Sequence, residues 1–257
     1  MCYDIKVLYE TALKRAKRKN DSEQMKSIEL ELDAFRKTDF YHVSAFEHPK
    51  LPIYTSENPN SPKMLSWGLV PFWVKDRQNA MKIKQNTLNA RVETLFEKPS
   101  FRGVAAEKKA LLSVDGFYEF YHFKGKTYPY FIHSADGEAL YLAAIYDEWM
   151  DKETGTIYSG FSIITTKAND LMRKIHNNPK LHEARMPLYL DKNHQEWWLN
   201  EKTDKAMIQD LNRTNSFPML KAHTVKPLRG RNVLGNVSET SCEYLYPELS
   251  YTNEMEF

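Results

Sequence analysis

Cysteine is nearly absent from this chain, whose 257 residues contain only Cys2 and Cys242. Two cysteines do not make a disulfide framework, which excludes the disulfide-stapled domains of small secreted proteins. In a reducing compartment both side chains are free thiols. Because a free cysteine usually packs as a small hydrophobic residue, position 2 needs further support before it counts as a reactive site.

Glycine and long apolar runs are scarce as well. None of the 9 glycines falls in a GxGxxG or P-loop pattern, so we expect no nucleotide cofactor. No run approaches the roughly 18 apolar residues of a membrane span, and the N-terminus lacks the apolar segment of a signal peptide. We therefore expect a cytoplasmic protein that makes no membrane contact.

The chain also lacks a large excess of either charge, because it has 36 Lys and Arg and 34 Asp and Glu, which gives a net charge of +2. General nucleic-acid binders carry a strong basic excess, so any nucleic-acid site here has to be a local patch. The sequence contains no HExxH, CxxC or GxSxG motif, and His176 and His182 are not spaced to share one helical face. We expect no metal ion and no cofactor.

Hydrophobic periodicity predicts an α+β fold. Apolar residues at helical spacing near the N-terminus predict a helical hairpin, and short aromatic and β-branched runs between turn dipeptides predict a meander of antiparallel strands. Helices are expected at about residues 5–20, 25–35, 167–175 and 194–199, and strands at about 110–121, 127–133, 139–149 and 157–166. With no repeat and no linker, we expect one domain over 1–257 with an irregular tail from about residue 239, and a monomer.

Cys2 stands where removal of Met1 would make it the N-terminal residue. Methionine aminopeptidases excise Met1 when the second residue is small, as cysteine is. The product would carry an α-amine and a thiol on adjacent carbons, which is an uncommon pair of nucleophiles. Position 2 is therefore compatible with a packed thiol or with a reactive aminothiol.

An aromatic cluster stands in LSWGLVPFWVKD, residues 65–76. Such clusters usually form core strands. Pro71, however, interrupts a central strand, so the rings of Trp67, Phe72 and Trp73 are predicted to end at a surface. Exposed rings near basic side chains are how proteins stack the bases of single-stranded nucleic acids.

The stretch NTLNARVET, residues 86–94, alternates polar and apolar residues. In an extended segment Asn89, Arg91 and Glu93 would share one face, although Asn89 could equally cap a helix. The amide of asparagine can orient an amine or an oxyanion, and arginine binds phosphate through two nitrogens. This segment is therefore a candidate for reaction and binding together.

Two further stretches contain isolated titratable residues. VDGFYEFYHF, residues 114–123, places Glu119 within a run of Phe and Tyr. Strand alternation usually turns such a carboxylate to solvent, but in an aromatic-walled pocket a carboxylic acid can keep its proton near neutrality. In residues 163–191, His176 ends a predicted helix, where it either complements the helix dipole or moves protons. Arg185 follows as a candidate phosphate ligand.

Taken together, these motifs resemble the SOS-response-associated peptidase family, also called the SRAP or abasic-site-processing family. The resemblance rests on Cys2, WGLVPFW at 67–73, NARVET at 89–94, GFYEF at 116–120, and ITTKAN, IHN and RMPLYL between 164 and 190. It implies a barrel-like or strongly bent sheet flanked by helices. It also implies a protein that removes its own first residue and covalently captures abasic sites in single-stranded DNA, and it allows an abasic-site lyase activity.

The resemblance also implies roles for individual residues. Cys2 would be the nucleophile, Asn89 would orient its amine, Glu119 would be the acid, and His176 would be a second proton-transfer group. The residues expected to line the DNA groove are Trp67, Trp73, Arg91, Phe120 and Arg185.

This sequence departs from the family pattern in three places. Members often have a glycine-arginine pair soon after the cysteine, whereas Tyr3 and Asp4 stand here, so one phosphate contact is missing or another base replaces it. Phe120 stands where tryptophan is common. The insertion NNPKLHEA separates His176 from the arginine, so His182 competes for the histidine role, although His176 continues directly from the predicted helix.

Two other functions fit the same residues. An N-terminal-nucleophile amidohydrolase would use the α-amine as the base for the thiol, release its product and turn over. A non-catalytic binder of single strands would use the aromatic and basic surface while Cys2 merely packs. The amidohydrolase would retain no DNA. Replacing Cys2 by Ser would leave a non-catalytic binder intact, whereas it would abolish stable crosslinking.

Overall fold

The computed structural model describes residues 2–36, 39–200, 202, 204–214 and 219–249. The strands are β1 (Asp4–Val7), β2 (Phe40–Ser44), β3 (Lys50–Thr55), β4 (Asn58–Trp67), β5 (Asn89–Arg91), β6 (Lys109–Val114), β7 (Gly116–Phe123), β8 (Lys126–Ser134), β9 (Leu140–Met150), β10 (Ile157–Lys167), β11 (Arg185–Pro187) and β12 (Leu220–Thr224). The helices are α1 (Tyr9–Lys19), α2 (Ser22–Glu31), α3 (Asp33–Arg36), α4 (Arg77–Asn86), α5 (Asp170–Ile175), α6 (Lys192–Asn200) and α7 (Lys205–Thr214).

The strands form two sheets. One has the order β11-β10-β4-β3-β6-β9, and because β9 also pairs with β10, five of its strands close into a barrel. Pairing is antiparallel except that β10 runs parallel to β4 and to β5. The other sheet is antiparallel, in the order β12-β8-β7-β1-β2. This architecture confirms the expected α+β fold with a largely antiparallel, barrel-like core.

The two sheets share one apolar core. A single cluster of buried side chains includes Ile5 and Phe117 from the five-stranded sheet and Leu111 and Ile145 from the barrel. Helix α1 packs on β4 and β6, and α6 also packs on β6. Within the described residues, no helix has the length and apolar character needed to cross a membrane.

The N-terminal helix prediction was partly wrong. The first helix was expected over residues 5–20, but Asp4–Val7 is a strand and α1 begins at Tyr9. Residues 5–7 form part of a strand instead of a helix because β1 pairs with both β2 and β7. This long-range pairing overrides a local periodicity that fits a helix. The second helix follows as expected, with Asp21 forming a capping box with Gln24 at its start.

The strand expected over 110–121 is two strands in different sheets. The chain changes sheet at Asp115, whose carboxylate accepts hydrogen bonds from the Leu8 backbone (2.8 Å) and the Thr11 hydroxyl (2.7 Å). Asp115 therefore fixes the start of α1 and separates β6 from β7. Polar contacts between distant segments of this kind leave no periodic signal in the sequence.

The remaining predicted elements are present, with shifted ends. The strands expected near 127–133, 139–149 and 157–166 are β8, β9 and β10, and the helix expected near 194–199 is α6. Lys167 ends β10 rather than starting a helix, and α5 begins at Asp170 because the Asn169 side chain caps it through Met172. In the predicted tail, Ser238–Ser241 is a 3-10 helix, and 250–257 lie outside the described residues.

Candidate active site around Cys2

Four segments bring the predicted reactive residues together. Cys2 lies two residues before the start of β1, which pairs with β7, so that Asp4 lies opposite Tyr118, the neighbour of Glu119. Asn89 begins β5, which pairs with β10, and β10 leads through α5 to His176. The junction between the five-stranded sheet and the barrel therefore collects residues that are far apart in the sequence.

Asn89 holds the backbone of Cys2. Its amide nitrogen Nδ2 donates to the Cys2 carbonyl oxygen at 2.9 Å. The amide oxygen Oδ1 of Asn89 is buried and has no hydrogen-bond partner among the described residues. Because leaving a buried polar atom unpaired is costly, this oxygen is suited to accept an N–H group that arrives later.

Glu119 and His176 form a buried pair. The Glu119 Oε2 atom lies 3.2 Å from His176 Nδ1, and the Phe120 amide donates to Glu119 Oε1 at 3.1 Å. His176 Nδ1 also lies 2.9 Å from the Arg185 carbonyl oxygen. The Arg185 backbone N–H also approaches Nδ1, at 3.4 Å, so the Arg185 backbone and the Glu119 carboxylate together fix the orientation of the imidazole.

Burial lowers the pKa of His176 below its ordinary value of 6.5, and the negative charge of Glu119 opposes that shift. The imidazole is therefore held neutral at neutral pH. Burial raises the pKa of the Cys2 thiol, and the nearby Glu119 carboxylate adds to the increase. The resting thiol is therefore protonated and requires a base before it reacts.

The lowered pKa of His176 predicts how stability depends on pH. Below the ordinary histidine pKa the unfolded chain binds more protons at this position than the folded chain does, so the free energy of unfolding falls as the pH falls. We expect this loss between about pH 7 and about pH 5 to be smaller in a His176→Gln protein. Equilibrium urea unfolding at several pH values measures it, and equal pH slopes in both proteins would contradict the assignment.

A cavity of about 510 Å³ adjoins this pair, and its lining includes Tyr3, Glu119, Phe120 and His176. Burial raises the pKa of the Tyr3 phenol, Glu119 and Cys2 add to the increase, and the charge of Arg91 opposes it. The phenol therefore lies within electrostatic range of all three groups. The thiol residue Cys2 is only 1% exposed.

The chain matches the family described as SOS response associated peptidase (SRAP) over residues 9–230. It belongs to this family. The abasic site processing protein YoqW of Bacillus subtilis is 35% identical over 205 residues, which cover 78% of this chain and 86% of that protein. YobE of the same organism is also named an abasic site processing protein and is 33% identical over 205 residues, 78% of this chain and 88% of that protein.

A solved structure has the same fold. The crystal structure of a protein from Bacteroides thetaiotaomicron superimposes with a TM-score of 0.80 at 32% sequence identity, covering 95% of this chain and all of that one (100%). The likeness to this structure therefore covers nearly the whole chain.

Trp67, predicted to line a DNA groove, is instead a core residue of this SRAP fold. Its side chain is 0% exposed, its ring stacks on Phe161 at a centroid distance of 5.9 Å, and its Nε1 donates to the Leu88 carbonyl. The prediction failed because Pro71 lies beyond the end of β4, so the strand itself stays inside. Gly68 makes this turn at φ +115, where a Cβ would approach the Lys84 carbonyl oxygen to 2.8 Å.

The second tryptophan of the motif is accessible. Trp73 is 45% exposed, its Nε1 donates to the Pro99 carbonyl oxygen at 3.2 Å, and it lines a second cavity beside Arg102. Phe72 is also exposed. The surface end of the motif is therefore Phe72 and Trp73.

This difference between the two tryptophans predicts opposite sensitivities to truncation. Trp67→Ala should lower the free energy of unfolding by about 3–5 kcal/mol because it removes a fully buried indole. Trp73→Ala should lower it by less than about 1 kcal/mol because half of the ring already faces water. Equilibrium urea unfolding followed by circular dichroism compares them. Similar losses in both proteins would show that the burial of Trp67 contributes no special stability.

Arg185 is likewise not where the phosphate-ligand prediction requires it. It is 2% exposed, and its guanidinium pairs with Glu93 at 2.8 Å and Glu183 at 3.0 Å. The backbone leaves the extended conformation at Val92–Thr94, a 3-10 helix, so Glu93 does not continue the face of Asn89 and Arg91. Arg185 joins this turn to β11 and is enclosed by its carboxylate partners. Arg91, by contrast, is exposed.

The structure brings His176, and not His182, to Glu119. His182 is exposed within the inserted loop. Asn177 of the same loop exchanges two hydrogen bonds with the His122 backbone (2.7 and 3.0 Å), which fixes the loop against β7. Among the described residues, no group of three or more His, Cys, Asp or Glu side chains is placed to hold a metal ion.

One candidate binding residue of this cavity, Arg229, was not predicted from the sequence. Arg229 belongs to the C-terminal segment, lines the cavity and contacts Asp4. It stands outside every family motif that carried the resemblance. Only the sequence departure at Asp4, an acid where a base was expected, pointed to a compensating positive charge.

Proposed function

We propose that this chain, after loss of Met1, captures abasic sites in single-stranded DNA by forming a covalent bond through Cys2. The observation that carries the proposal is the arrangement around Cys2: Asn89 binds its carbonyl, and Glu119 and His176 form a buried pair at the adjoining cavity. The names of YoqW and YobE, both abasic site processing proteins, support the same substrate.

The first step joins the α-amine of Cys2 to the sugar. An abasic deoxyribose exchanges between a closed hemiacetal and an open aldehyde. Glu119 moves a proton from the C1 hydroxyl to the ring oxygen, which breaks the ring C–O bond and returns Glu119 to its starting carboxylate. A free α-amine has a pKa of about 7.7–8.0, so part of it is neutral at physiological pH and attacks the aldehyde carbon. Loss of one water gives an imine. The unpaired Asn89 Oδ1 orients the amine by accepting one of its N–H bonds.

The second step makes the adduct stable. The Cys2 sulfur adds to the imine carbon, the new C–S bond closes a five-membered thiazolidine ring, and the thiol proton ends on the ring nitrogen. Because burial holds the thiol protonated, the Glu119 carboxylate serves as the base that passes the thiol proton to the nitrogen. His176, neutral and hydrogen-bonded to the backbone, stabilises the changing charge of Glu119. The overall reaction consumes one aldehyde and one aminothiol and releases one water.

Binding of the DNA strand uses accessible groups around the cavity. Phe120 lines it and offers a ring for base stacking, and the exposed Arg91 lies within electrostatic range of Tyr3 in the same lining. Trp73 is exposed at the second cavity, beside Arg102. Aromatic stacking is worth about 1–3 kcal/mol per base and tolerates any sequence. The proposal further includes removal of Met1 by the protein itself or by a methionine aminopeptidase, a monomeric state, a single domain over 1–257 and a cytoplasmic location.

The test uses purified protein whose mass shows loss of Met1, mixed with a single-stranded oligonucleotide that carries one abasic site. We expect a band at the combined mass of protein and DNA that survives a denaturing gel. An intact oligonucleotide of the same sequence serves as control and should give no such band. Absence of the band with fully processed protein would refute covalent capture and favour the amidohydrolase, whereas retention on native gels alone would favour a non-catalytic binder.

A further inference from the structure

Asp4 is a buried carboxylate with two partners from distant segments. It is 2% exposed, and its Oδ2 accepts a hydrogen bond from Arg229 at 2.8 Å. Its Oδ1 lies 3.0 Å from His42 Nε2. A buried charge of this kind needs such partners to offset its desolvation. Asp4 therefore fixes the position of the Arg229 side chain.

Arg229 is held on two sides and open on a third. Its guanidinium carbon lies 5.0 Å from the centre of the Phe120 ring, a cation–π arrangement, while one terminal nitrogen binds Asp4. The side chain is nevertheless 56% exposed. Because a guanidinium carries five N–H donors and these contacts use few of them, an accessible set of donors faces solvent at the cavity.

Arg229 also supplies the positive charge of the cavity lining. The cavity lining contains the carboxylates of Asp4 and Glu119, and Arg229 is its only arginine or lysine among the described residues. Without that guanidinium, the described part of the lining would contain the Asp4 and Glu119 carboxylates and no arginine or lysine to offset them. Ordinary solvation of an exposed arginine does not require a buried carboxylate and a ring to position it.

We infer that Arg229, oriented by Asp4 and Phe120, binds a backbone phosphate of the DNA strand that enters the cavity. It thereby takes the place of the arginine expected soon after Cys2, where this chain has Asp4. The inference rests on the proposed function for its ligand. The positive charge comes from the C-terminal segment, and the carboxylate of Asp4 holds the Arg229 guanidinium in place instead of repelling the phosphate.

The test measures non-covalent binding in a Cys2→Ala background, so it does not depend on crosslinking. The probe is a single-stranded oligonucleotide with one tetrahydrofuran abasic analogue, and fluorescence anisotropy gives Kd at several salt concentrations. Arg229→Ala should weaken binding about fivefold, as expected for a partly exposed charge-assisted contact. It should also reduce the slope of log K against log salt by about 0.7, the value for one phosphate on a single strand.

Two variants make the result specific. Arg231→Ala removes the same charge two residues later, at an exposed position outside the cavity lining, and should leave the affinity and slope close to the parent values. Arg229→Lys should keep the salt slope but lose part of the affinity, because a lysine lacks the planar fork. An Arg229→Ala effect no larger than that of Arg231→Ala would overturn the inference. Failure of Cys2-containing protein to crosslink would refute only the proposed function.

Discussion

A Cys2→Ala protein is expected to form no denaturation-resistant adduct with abasic single-stranded DNA under conditions in which the parent protein is converted. Alanine is small enough for Met1 to be removed, so the α-amine remains and only the thiol is lost. The amine still forms an imine, but no sulfur closes the ring and the imine hydrolyses. Denaturing gels over a time course should therefore show loss of the stable band to below detection.

The second thiol provides a matched control. Cys242 is exposed, unlike Cys2, and both are free thiols. Cys242→Ala should crosslink at the parent rate because its thiol has no adjacent α-amine. An undiminished stable band in Cys2→Ala would contradict the role of the Cys2 thiol. Loss of the band in Cys242→Ala would show that the reaction requires Cys242.

Glu119→Gln should slow crosslinking at neutral pH by about 10²–10⁴-fold, the usual contribution of a positioned acid-base group. Glutamine has nearly the same shape, but its amide neither donates a proton to the sugar ring oxygen nor accepts one from the Cys2 thiol. Affinity for the tetrahydrofuran analogue should change little, because Glu119 is placed to act on the reacting atoms. Single-turnover time courses on denaturing gels give the rate, and anisotropy gives the affinity.

The control for this change is Glu148→Gln, which alters an exposed carboxylate of β9 outside the cavity lining. It should leave the crosslinking rate unchanged. If Glu119→Gln crosslinks at the parent rate, Glu119 is not the acid. If it binds the analogue poorly as well, the carboxylate contributes to DNA binding and the proton-transfer role loses its support.

Local sequence was informative where a motif residue needed only its own strand or helix. The pattern around Glu119 predicted a strand, and the helical run before His176 favoured that histidine over His182. The structure places His176 against Glu119 because α5 packs on β7. Asn89 and Cys2 also meet, through a bond between residues 87 positions apart in sequence. Their proximity was implied by the family resemblance and not by periodicity.

Local sequence failed where burial depends on distant partners. An aromatic motif does not reveal which ring enters the core, so Trp67 was placed at the surface with Trp73. Arg185 was read as a free cation because Glu93, one of the two carboxylates that enclose it, comes from a distant segment. Arg229 was missed because its contact with Asp4 spans 225 positions. Each of these errors concerns a tertiary contact that no short window contains.

Mass spectrometry of the adduct tests the central claim most directly. Parent protein is crosslinked to an abasic oligonucleotide, treated with borohydride, digested with protease and nuclease, and the linked peptide is sequenced. Covalent capture by the aminothiol predicts an N-terminal peptide that lacks Met1 and carries the sugar on Cys2. Its mass should equal peptide plus sugar fragment minus one water, with no added hydrogen because a thiazolidine resists the reductant. Linkage through a lysine, or a reduced imine at the α-amine, would contradict the account.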